Sequence, residues 1–229
     1  MRIEMDNEIP LARGLGSSAA AVVAGLRAAE GLAQTELGID RIHAIASEVD
    51  GHPDNVGAAL LGGFVIVARD EAGVPRAARF EPPDQLVAAL FIPSQPLRTA
   101  EMRAALPEQV SQTDAAHNIS RAALVVAALT ANRPELLGAM AEDRLHEPLW
   151  ATHFQALPGL IAAAQGAGAL GAALSGAGST VIALCADADI AARAAAAMEA
   201  HATGAGVAGR TVVVRPTAIG AGHLEEATS

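Results

Sequence analysis

Apolar residues recur at helical spacing in the first third of the chain, and shorter apolar runs follow them. The helical spacing predicts a helix over 17–33 and a second over 40–50, with Asp40 as its N-cap. Two apolar runs bounded by glycine or proline predict strands over 62–70 and 85–93. The loop between these strands contains glycine and proline, so it is a candidate domain boundary.

The rest of the chain alternates between helical and strand-like patterns. The predicted elements are helices over 99–106, 114–130 and 134–144, then a helix over 159–165, strands over 170–174 and 180–184, a helix over 190–201 and a strand over 211–215. The last five, in the order αββαβ, suit an antiparallel sheet with helices packed on one face. The pattern therefore predicts a compact α/β or α+β protein.

Composition supports a folded core and limits the class of partner. Of the 229 residues 52% are hydrophobic and 17% are charged, which argues against disorder. Only 2% are aromatic, so small aliphatic side chains must fill the core. The net charge of −10 disfavours nucleic acid or an anionic membrane as partner. The chain has no lysine, which excludes a phosphate loop of the GxxxxGK[ST] kind.

Three features concern the cellular compartment. Cys185 is the only cysteine and lies in an apolar run, so we expect a core residue in a reducing cytoplasm. The first ten residues include acids and no apolar core of a signal peptide. The uncharged stretch 154–186 is interrupted by Pro158 and several glycines, which favours short buried elements over a membrane span.

The stretch PLARGLGSSAAAVVAG, residues 10–25, carries the clearest candidate chemistry. Gly14 and Gly16 allow close approach of the backbone to a ligand, and the helix that follows offers unpaired N–H groups at its positive end. Ser17 and Ser18 add hydroxyl groups, and this combination binds phosphate. The alternative from the same residues is that Ser17 only caps a helix after a glycine turn.

Five blocks of the sequence resemble one enzyme superfamily. Residues 10–20 resemble the nucleotide-binding motif of the GHMP kinases, with the greatest similarity to homoserine kinases. GHPDNVGAALLGGF, residues 51–64, resembles the segment after that family's magnesium-ligand helix, and 168–184 is similar to the C-terminal glycine-rich motif. PLRTAEMRAALP, residues 96–107, and DAAHNISRAAL, residues 114–124, also resemble homoserine kinases. The blocks follow family order over nearly the whole chain.

The resemblance implies a two-domain GHMP kinase fold of the α+β class. The resemblance implies an N-terminal ATP-binding domain over 1–80, expected to be a truncated ribosomal S5 domain 2-like domain. It implies a C-terminal domain over 81–229, expected to be a ferredoxin-like α/β sandwich. The implied reaction transfers phosphate from ATP to the hydroxyl of L-homoserine, with Mg²⁺, in the cytoplasm. No nucleic acid or membrane partner is expected, and the resemblance allows a homodimer.

Roles for individual residues come from the same resemblance. The implied nucleotide-binding residues are Pro10, Arg13, Gly14, Leu15, Gly16, Ser17, Ser18 and Ala19. The implied metal ligands are Glu48 and Ser17. Without the neighbouring motif blocks, Glu48 is better explained as a solvated glutamate on a helix.

The implied substrate site draws on three further blocks. His52, Asn55, Arg103 and Gly176 are the implied substrate-binding residues, and Thr99, Asn55 and Arg103 the implied catalytic ones. Thr99 and Arg103 are four residues apart and so share a helix face, where the arginine can hold a carboxylate bidentately. The structural alternatives are an N-capping Thr99 with a surface Arg103, and a hairpin turn around Gly176. For His52 the alternative is a structural or exposed histidine in the proline-containing turn HPDN.

Three departures from the family pattern keep other functions open. Only nine residues precede Pro10, where the family has a further motif, so we expect residues 1–229 alone to turn over homoserine poorly. The family's EPYR block reads EPLW here, with Trp150 at the position of an arginine, and Ser179 stands where a proline is usual. A non-catalytic nucleotide-binding or oligomeric remnant and a GHMP kinase for another small molecule are the alternatives.

Overall fold

The computed structural model describes residues 4–95 and 107–222. They divide into two compact units, each with its own apolar core. Unit 1 comprises residues 4–11, 16–82 and 217–222, and unit 2 comprises 12–15, 83–95 and 107–216. The two units divide after Pro82, and the predicted domains 1–80 and 81–229 stay a prediction.

Unit 1 is built from three helices and a β-hairpin. The elements are α1 Ser17–Ala33, α2 Ile39–Asp50, α3 Pro53–Leu61, β1 Phe64–Arg69 and β2 Pro75–Phe80. Its core is formed by small aliphatic side chains of the three helices, namely Ala19, Val23, Ile42, Ala46, Val56 and Leu60. The strands pair antiparallel in a register that places Phe64 opposite Phe80.

Glycine lets α3 lie directly on this hairpin. A Cβ atom built on Gly57 would stand 2.9 Å from Cγ2 of Val67, so a larger residue would push helix and strand apart. The segment 217–222 then closes the unit, since the Gly63 amide donates to the Thr217 carbonyl at 2.7 Å and the Ala221 amide to the Ala59 carbonyl at 3.0 Å. These contacts hold the end of α3 in place.

Unit 2 contains a four-stranded antiparallel sheet with helices packed on it. Its elements are β3 Val87–Pro93, α4 Gln112–Thr130, a 3₁₀ helix Pro134–Ala141, α5 Glu147–His153, α6 Leu157–Gly166, β4 Gly171–Leu174, β5 Val181–Cys185, α7 Ala188–Gly204 and β6 Gly209–Val214. The strand order is β4-β5-β3-β6, with every neighbouring pair antiparallel. With α6 and α7 as crossovers, this is the split βαβ arrangement of ferredoxin-like folds.

Most predicted elements are confirmed. The helix over 17–33 matches α1 to the residue, and the αββαβ order of the C-terminal half is observed. The uncharged stretch 154–186 resolves into α6, β4 and β5. None of the helices in the described part of the chain is both long and apolar enough to span a bilayer.

Several local predictions are wrong or incomplete. The N-cap of α2 is Gly38 rather than Asp40, because the helix begins at Ile39 and so places Asp40 inside its first turn. The predicted helix over 134–144 is a 3₁₀ helix that ends at Ala141. Helices α3 and α5 and strand β2 were not predicted. The predicted helix over 99–106 lies outside the described residues.

Cys185 is a core residue, as predicted. It is fully buried at the end of β5, opposite Val87. Burial, together with the nearby charge of Asp187, raises the pKa of its thiol to about 11. The thiol is therefore protonated at neutral pH and takes no part in the chemistry considered below.

Candidate active site

The loop that carries the glycine motif has an unusual backbone. The φ angles of Ala12, Gly14 and Gly16 are 54°, 72° and 74°, whereas Arg13 and Leu15 have negative φ. Successive backbone N–H groups in such alternating conformations are known to form concavities that bind anions, so this backbone is suited to that role. Glycine adopts positive φ at no steric cost, which explains two of these three positions.

The first turn of α1 is left open for a ligand. The N-cap is Gly16, and no side chain of the described residues caps the helix. The alternative in which Ser17 is the cap is therefore wrong, since Ser17 is the first residue of the helix. The amides of Ser17, Ser18 and Ala19 have no acceptor within the helix, so these donors stand at its positive end.

A residue that the sequence analysis missed orients Ser17. The Asn7 side-chain amide donates to the Ser17 hydroxyl oxygen at 2.8 Å. The side-chain oxygen of Asn7, Oδ1, accepts from the Ile9 backbone amide at 3.0 Å. A hydroxyl has two lone pairs and one hydrogen. Because Asn7 uses one lone pair, Ser17 keeps its hydrogen and one lone pair for another partner. Only its spacing ahead of the glycine motif could have indicated Asn7.

Two predicted blocks of unit 1 lie next to each other. Asn55 stands in the first turn of α3, and its Cβ is 4.0 Å from a Cβ built on Gly16. His52 is the residue before α3, and its Nδ1 lies 3.2 Å from Oδ2 of Asp50. The start of α1 and the start of α3 are therefore brought together, although they are far apart in sequence.

Glu48 is the one predicted metal ligand with a carboxylate. It lies exposed on α2 and forms no hydrogen bond or ion pair with the other described residues. No group of three or more His, Cys, Asp or Glu side chains gathers within the described ranges. Mg²⁺ is usually held by one or two carboxylates together with phosphates and water, so the Glu48 carboxylate and the Ser17 hydroxyl are chemically suitable ligands.

Residues 12–15 of the glycine motif, called the nucleotide loop below, lie against the β4–β5 turn in unit 2. The Ser175 hydroxyl donates to the Gly14 carbonyl at 2.8 Å. A Cβ built on Gly14 would stand 2.1 Å from the Ser175 carbonyl oxygen, so only glycine fits. Gly176 also lies close to the loop, since its built Cβ would be 3.3 Å from the Gly14 carbonyl oxygen. The two glycine-rich motifs thus pack backbone to backbone.

Helix α5 supports this turn from the other side. The Glu147 carboxylate accepts from the Leu174 amide at 2.6 Å, directly before the turn. Trp150 is only 1% exposed, and its ring lies 3.0 Å from a Cβ built on Gly178. Its indole N–H donates to Nε2 of His146 at 2.7 Å. Trp150 is thus a core residue beneath the turn and supplies no cation.

Ser179, the other departure from the family pattern, also faces the interior. It is fully buried, and its hydroxyl has no hydrogen-bond partner among the described residues. The surroundings therefore suit an apolar residue, which agrees with the proline that is usual in the family.

The two acids around α5 have pKa values that shift in opposite directions. Burial, with the nearby charge of Asp143, raises the pKa of Glu147 against the lowering effect of the Leu174 amide. Burial also acts to raise the pKa of Asp143, but hydrogen bonds from the Asn118 side chain and from backbone amides outweigh it and lower that pKa. Asp143 is therefore held as a carboxylate, and it anchors the segment that leads into α5.

Two of the predicted substrate residues, Thr99 and Arg103, lie outside the described residues. The described residues of unit 2 also form a cavity. This cavity of about 340 Å³ is lined by Asp143, Glu147, Gln165 and apolar side chains. None of the predicted site residues that the structure describes lines it. We therefore do not assign the substrate to this cavity.

Comparison with known proteins decides the family. Residues 1–63 match the GHMP kinase N-terminal domain, and residues 125–204 match the GHMP kinase C-terminal domain. A structure from Listeria monocytogenes assigned as a homoserine kinase is 33% identical, with a TM-score of 0.74 over 93% of this chain and 71% of that one. The chain belongs to the homoserine kinase family of the GHMP kinases.

Two further relatives agree with this assignment. The homoserine kinase of Streptomyces coelicolor is 45% identical over 194 residues, which cover 83% of this chain and 62% of that protein. The crystal structure of homoserine kinase from Cytophaga hutchinsonii is 28% identical, with a TM-score of 0.84 over 91% of this chain and 68% of that one. The chain spans about three fifths of the length of the curated relatives it matches.

Proposed function

We propose that this chain phosphorylates the side-chain hydroxyl of L-homoserine with ATP, giving O-phospho-L-homoserine and ADP, a step toward threonine. The observation that supports this most is the uncapped start of α1, where Asn7 holds the Ser17 hydroxyl and Asn55 of the HPDN block lies alongside. Membership of the homoserine kinase family supplies the substrate class. Together they indicate a phosphate-binding element next to the amino-acid block.

In this proposal the phosphates of ATP are bound mainly by neutral donors. These are the backbone amides of the loop, the hydroxyls of Ser17 and Ser18, and the free amides of the first turn of α1. Pro10, Leu15 and Ala19 set the shape of the same segment. When bound, Mg²⁺ neutralises phosphate charge, and Glu48 and Ser17 are its proposed ligands.

The acceptor amino acid is assigned to residues of three blocks. His52 and Asn55 bind it from the start of α3, Gly176 from the β4–β5 turn, and Thr99 and Arg103 from the segment after β3. Arg103 pairs with the substrate carboxylate, for which a guanidinium fork is well suited. Thr99 and Asn55 orient the reacting hydroxyl.

Phosphoryl transfer then depends on positioning. The homoserine oxygen bonds to the γ-phosphorus as the bond from that phosphorus to the bridging oxygen breaks. ADP leaves with the electron pair, and the hydroxyl proton passes to solvent. Such a loose transition state needs little covalent help, so alignment and stabilisation of charge supply most of the rate.

Nucleotide binding and turnover test the proposal separately. ATP binding to the purified chain is measured by calorimetry and by the emission of Trp150, the single tryptophan in a chain without tyrosine. Because Trp150 lies beneath the turn that contacts Gly14, binding at the loop should change its emission. ADP release is then measured with homoserine, mevalonate or galactose.

We expect ATP binding that alters Trp150 emission, and ADP release that depends on homoserine alone. Phosphorus NMR should identify the product as a phosphate monoester of homoserine. Failure to bind ATP, or ATP binding with no dependence of ADP release on homoserine, would contradict the proposal. Preference for mevalonate or galactose would favour a different GHMP kinase.

The cellular setting and the assembly state belong to the same proposal. We infer a cytoplasmic enzyme, because its single cysteine is buried and no disulfide can form within the chain. A homodimer is the proposed assembly, and sedimentation of the purified chain would test it.

A further inference from the structure

Arg13 stands inside the glycine motif, but its side chain is directed to backbone carbonyl groups of unit 2. Its Nε donates to the Pro93 carbonyl at 2.9 Å, and its Nη2 donates to the Ser94 carbonyl at 2.7 Å. Its Nη1 donates to the carbonyl of Ala12 at 3.1 Å. Every nitrogen of the guanidinium group is thus engaged with main chain.

The backbone beside Arg13 is held as well. The Thr180 amide donates to the Arg13 carbonyl at 3.2 Å, and the Ser175 hydroxyl donates to the Gly14 carbonyl at 2.8 Å. Two consecutive loop residues therefore join three segments that are far apart in sequence. These segments are the nucleotide loop, the end of β3 and the β4–β5 turn.

We propose that Arg13 is a positioning residue that fixes the nucleotide loop to the end of β3, and that it does not act as a cation on the phosphates. The inference rests on the proposed kinase function. Arginine suits this role because its planar fork is preorganised to donate in several directions at once. Lysine has the same charge but presents it as a single point on a flexible stem, so it cannot reproduce this set of contacts.

The contacts of Arg13 join the segment proposed to bind ATP to the end of β3, which leads into the segment proposed to bind homoserine. The chain that leaves β3 at Pro93 runs on to the block with Thr99 and Arg103, the proposed acceptor residues. Arg13 thus holds the nucleotide loop and the point from which the acceptor block begins. Loosening it should weaken the use of ATP and of homoserine together.

Charge-preserving and charge-removing variants distinguish the two roles of Arg13. The variants are Arg13→Lys and Arg13→Gln, with Arg215→Lys as the matched control, because Arg215 also donates to a backbone carbonyl of unit 2, that of Asp84. For each, calorimetry gives the ATP affinity at several salt concentrations, and steady-state kinetics give kcat and both KM values.

We expect Arg13→Lys and Arg13→Gln to be impaired alike, with KM for ATP and for homoserine each raised at least tenfold and the salt dependence of ATP affinity as in the unmodified chain. Arg215→Lys should remain within twofold of the unmodified chain. If Arg13→Lys keeps normal affinity while Arg13→Gln loses affinity and part of the salt dependence, Arg13 binds phosphate and the inference is overturned.

Exchange of the Thr180 amide and the variant Ser175→Ala give two further tests of the inference. Exchange of the Thr180 amide, followed by NMR without nucleotide, should speed up in both Arg13 variants and not in Arg215→Lys. Unchanged exchange overturns the inference, whereas absence of ATP binding by the unmodified chain overturns the proposed function instead.

If the Arg13 variants do not fold, Ser175→Ala removes one contact of the same loop and should raise both KM values by a smaller factor. Normal KM values in that variant also overturn the inference.

Discussion

At the scale of single residues, Asn7 decides which hydrogen-bonding capacity Ser17 retains. Asn7→Ala removes the donor, and Asn7→Asp replaces it with an acceptor that competes for the Ser17 hydrogen. We expect KM for ATP to rise about 5- to 30-fold in Asn7→Ala, in line with about 1–2 kcal/mol for one hydrogen bond, and further in Asn7→Asp. Steady-state kinetics check this, and a normal KM in Asn7→Asp would show that Ser17 does not need this partner.

Gly16 tests how closely the phosphates approach the loop. Among the described residues, a Cβ on Gly16 meets only Asn55 within 4 Å, at 4.0 Å, so these residues leave room for a ligand beside it. Gly16→Val should abolish ATP binding, because the branched side chain enters this space and the residue has a φ of 74°. Calorimetry measures the effect.

The control for Gly16→Val must carry the same backbone strain. Gly73→Val serves this purpose, since Gly73 has a φ of 79° in the β1–β2 turn and no atom of the described chain lies within 4 Å of its built Cβ. We expect Gly73→Val to bind ATP normally. Equal loss in both variants would assign the effect to strain, and normal binding by Gly16→Val would exclude the phosphate contact.

Arg103 gives a prediction that rests on the family resemblance alone. If its guanidinium holds the homoserine carboxylate, Arg103→Ala should lose about 2–4 kcal/mol of transition-state binding, which lowers kcat/KM by roughly 30- to 1000-fold. The loss should appear with homoserine while ATP binding stays unchanged. A normal kcat/KM would show that the carboxylate is held elsewhere.

At the scale of elements, the entry into α5 depends on one carboxylate. Asp143 accepts from the Asn118 side chain and from the amides of Leu145, His146 and Glu147. This set of bonds fixes the segment from which Glu147 and Trp150 reach the β4–β5 turn. The contact of α4 with the segment that leads into α5 is thus part of the support of the glycine-rich motif.

The lowered pKa of Asp143 gives this support a pH dependence. The ordinary pKa of an aspartate is 3.8, and the pKa of Asp143 in the folded chain is lower. The carboxylate therefore contributes its full stabilisation to the fold at pH values above 3.8. This contribution is lost as the pH falls through the pKa of the folded chain. Asp143→Asn should lower the free energy of unfolding by about 1–3 kcal/mol at neutral pH. The difference in Tm between variant and unmodified chain should shrink below about pH 4.

Thermal unfolding between pH 3 and pH 7 checks this prediction. Asp189→Asn is the control, since Asp189 is an exposed acid in the first turn of α7. It should change Tm little at any pH. A Tm difference for Asp143→Asn that stays constant with pH would mean that the carboxylate charge contributes nothing.

At the scale of the whole molecule, unit 1 has little sheet to support its helices. Its described residues contain one two-stranded sheet, and Ile66 on β1 is 41% exposed. A two-stranded sheet is marginally stable by itself, and an exposed strand edge tends to pair with other chains. The helices that carry Ser17, Glu48 and Asn55 are thus held less firmly than the elements of unit 2.

We therefore expect a polypeptide of residues 1–229 alone to turn over homoserine slowly and to self-associate. A misplacement of about 1 Å can cost roughly 10²-fold in rate. Homoserine-dependent ADP release is compared with that of the Streptomyces coelicolor enzyme under the same conditions, and sedimentation reports the assembly state. Comparable turnover by a monomer would contradict this prediction.

Much of the fold could be predicted because its elements carry local signals. Helix α1 has apolar spacing after a glycine turn, and the strands of unit 2 are short aliphatic runs. Strand β2 was missed because PRAARF begins with proline, contains two arginines and becomes a strand only by pairing with β1. Helix α3 was missed because HPDN was interpreted as a turn, although proline at the first position of a helix is favourable.

The sequence by itself determined the family, the order of most of the elements and the motifs that carry the candidate chemistry. These depend on residue types at fixed spacing along the chain, which a linear pattern records. Only the tertiary structure decided that Asn7 holds Ser17, that Trp150 lies beneath Gly178, and that Arg13 donates to the carbonyls at the end of β3. The contact of Trp150 and that of Arg13 join residues far apart in the chain and, like the orientation of Asn7, depend on folded geometry, which no local pattern encodes.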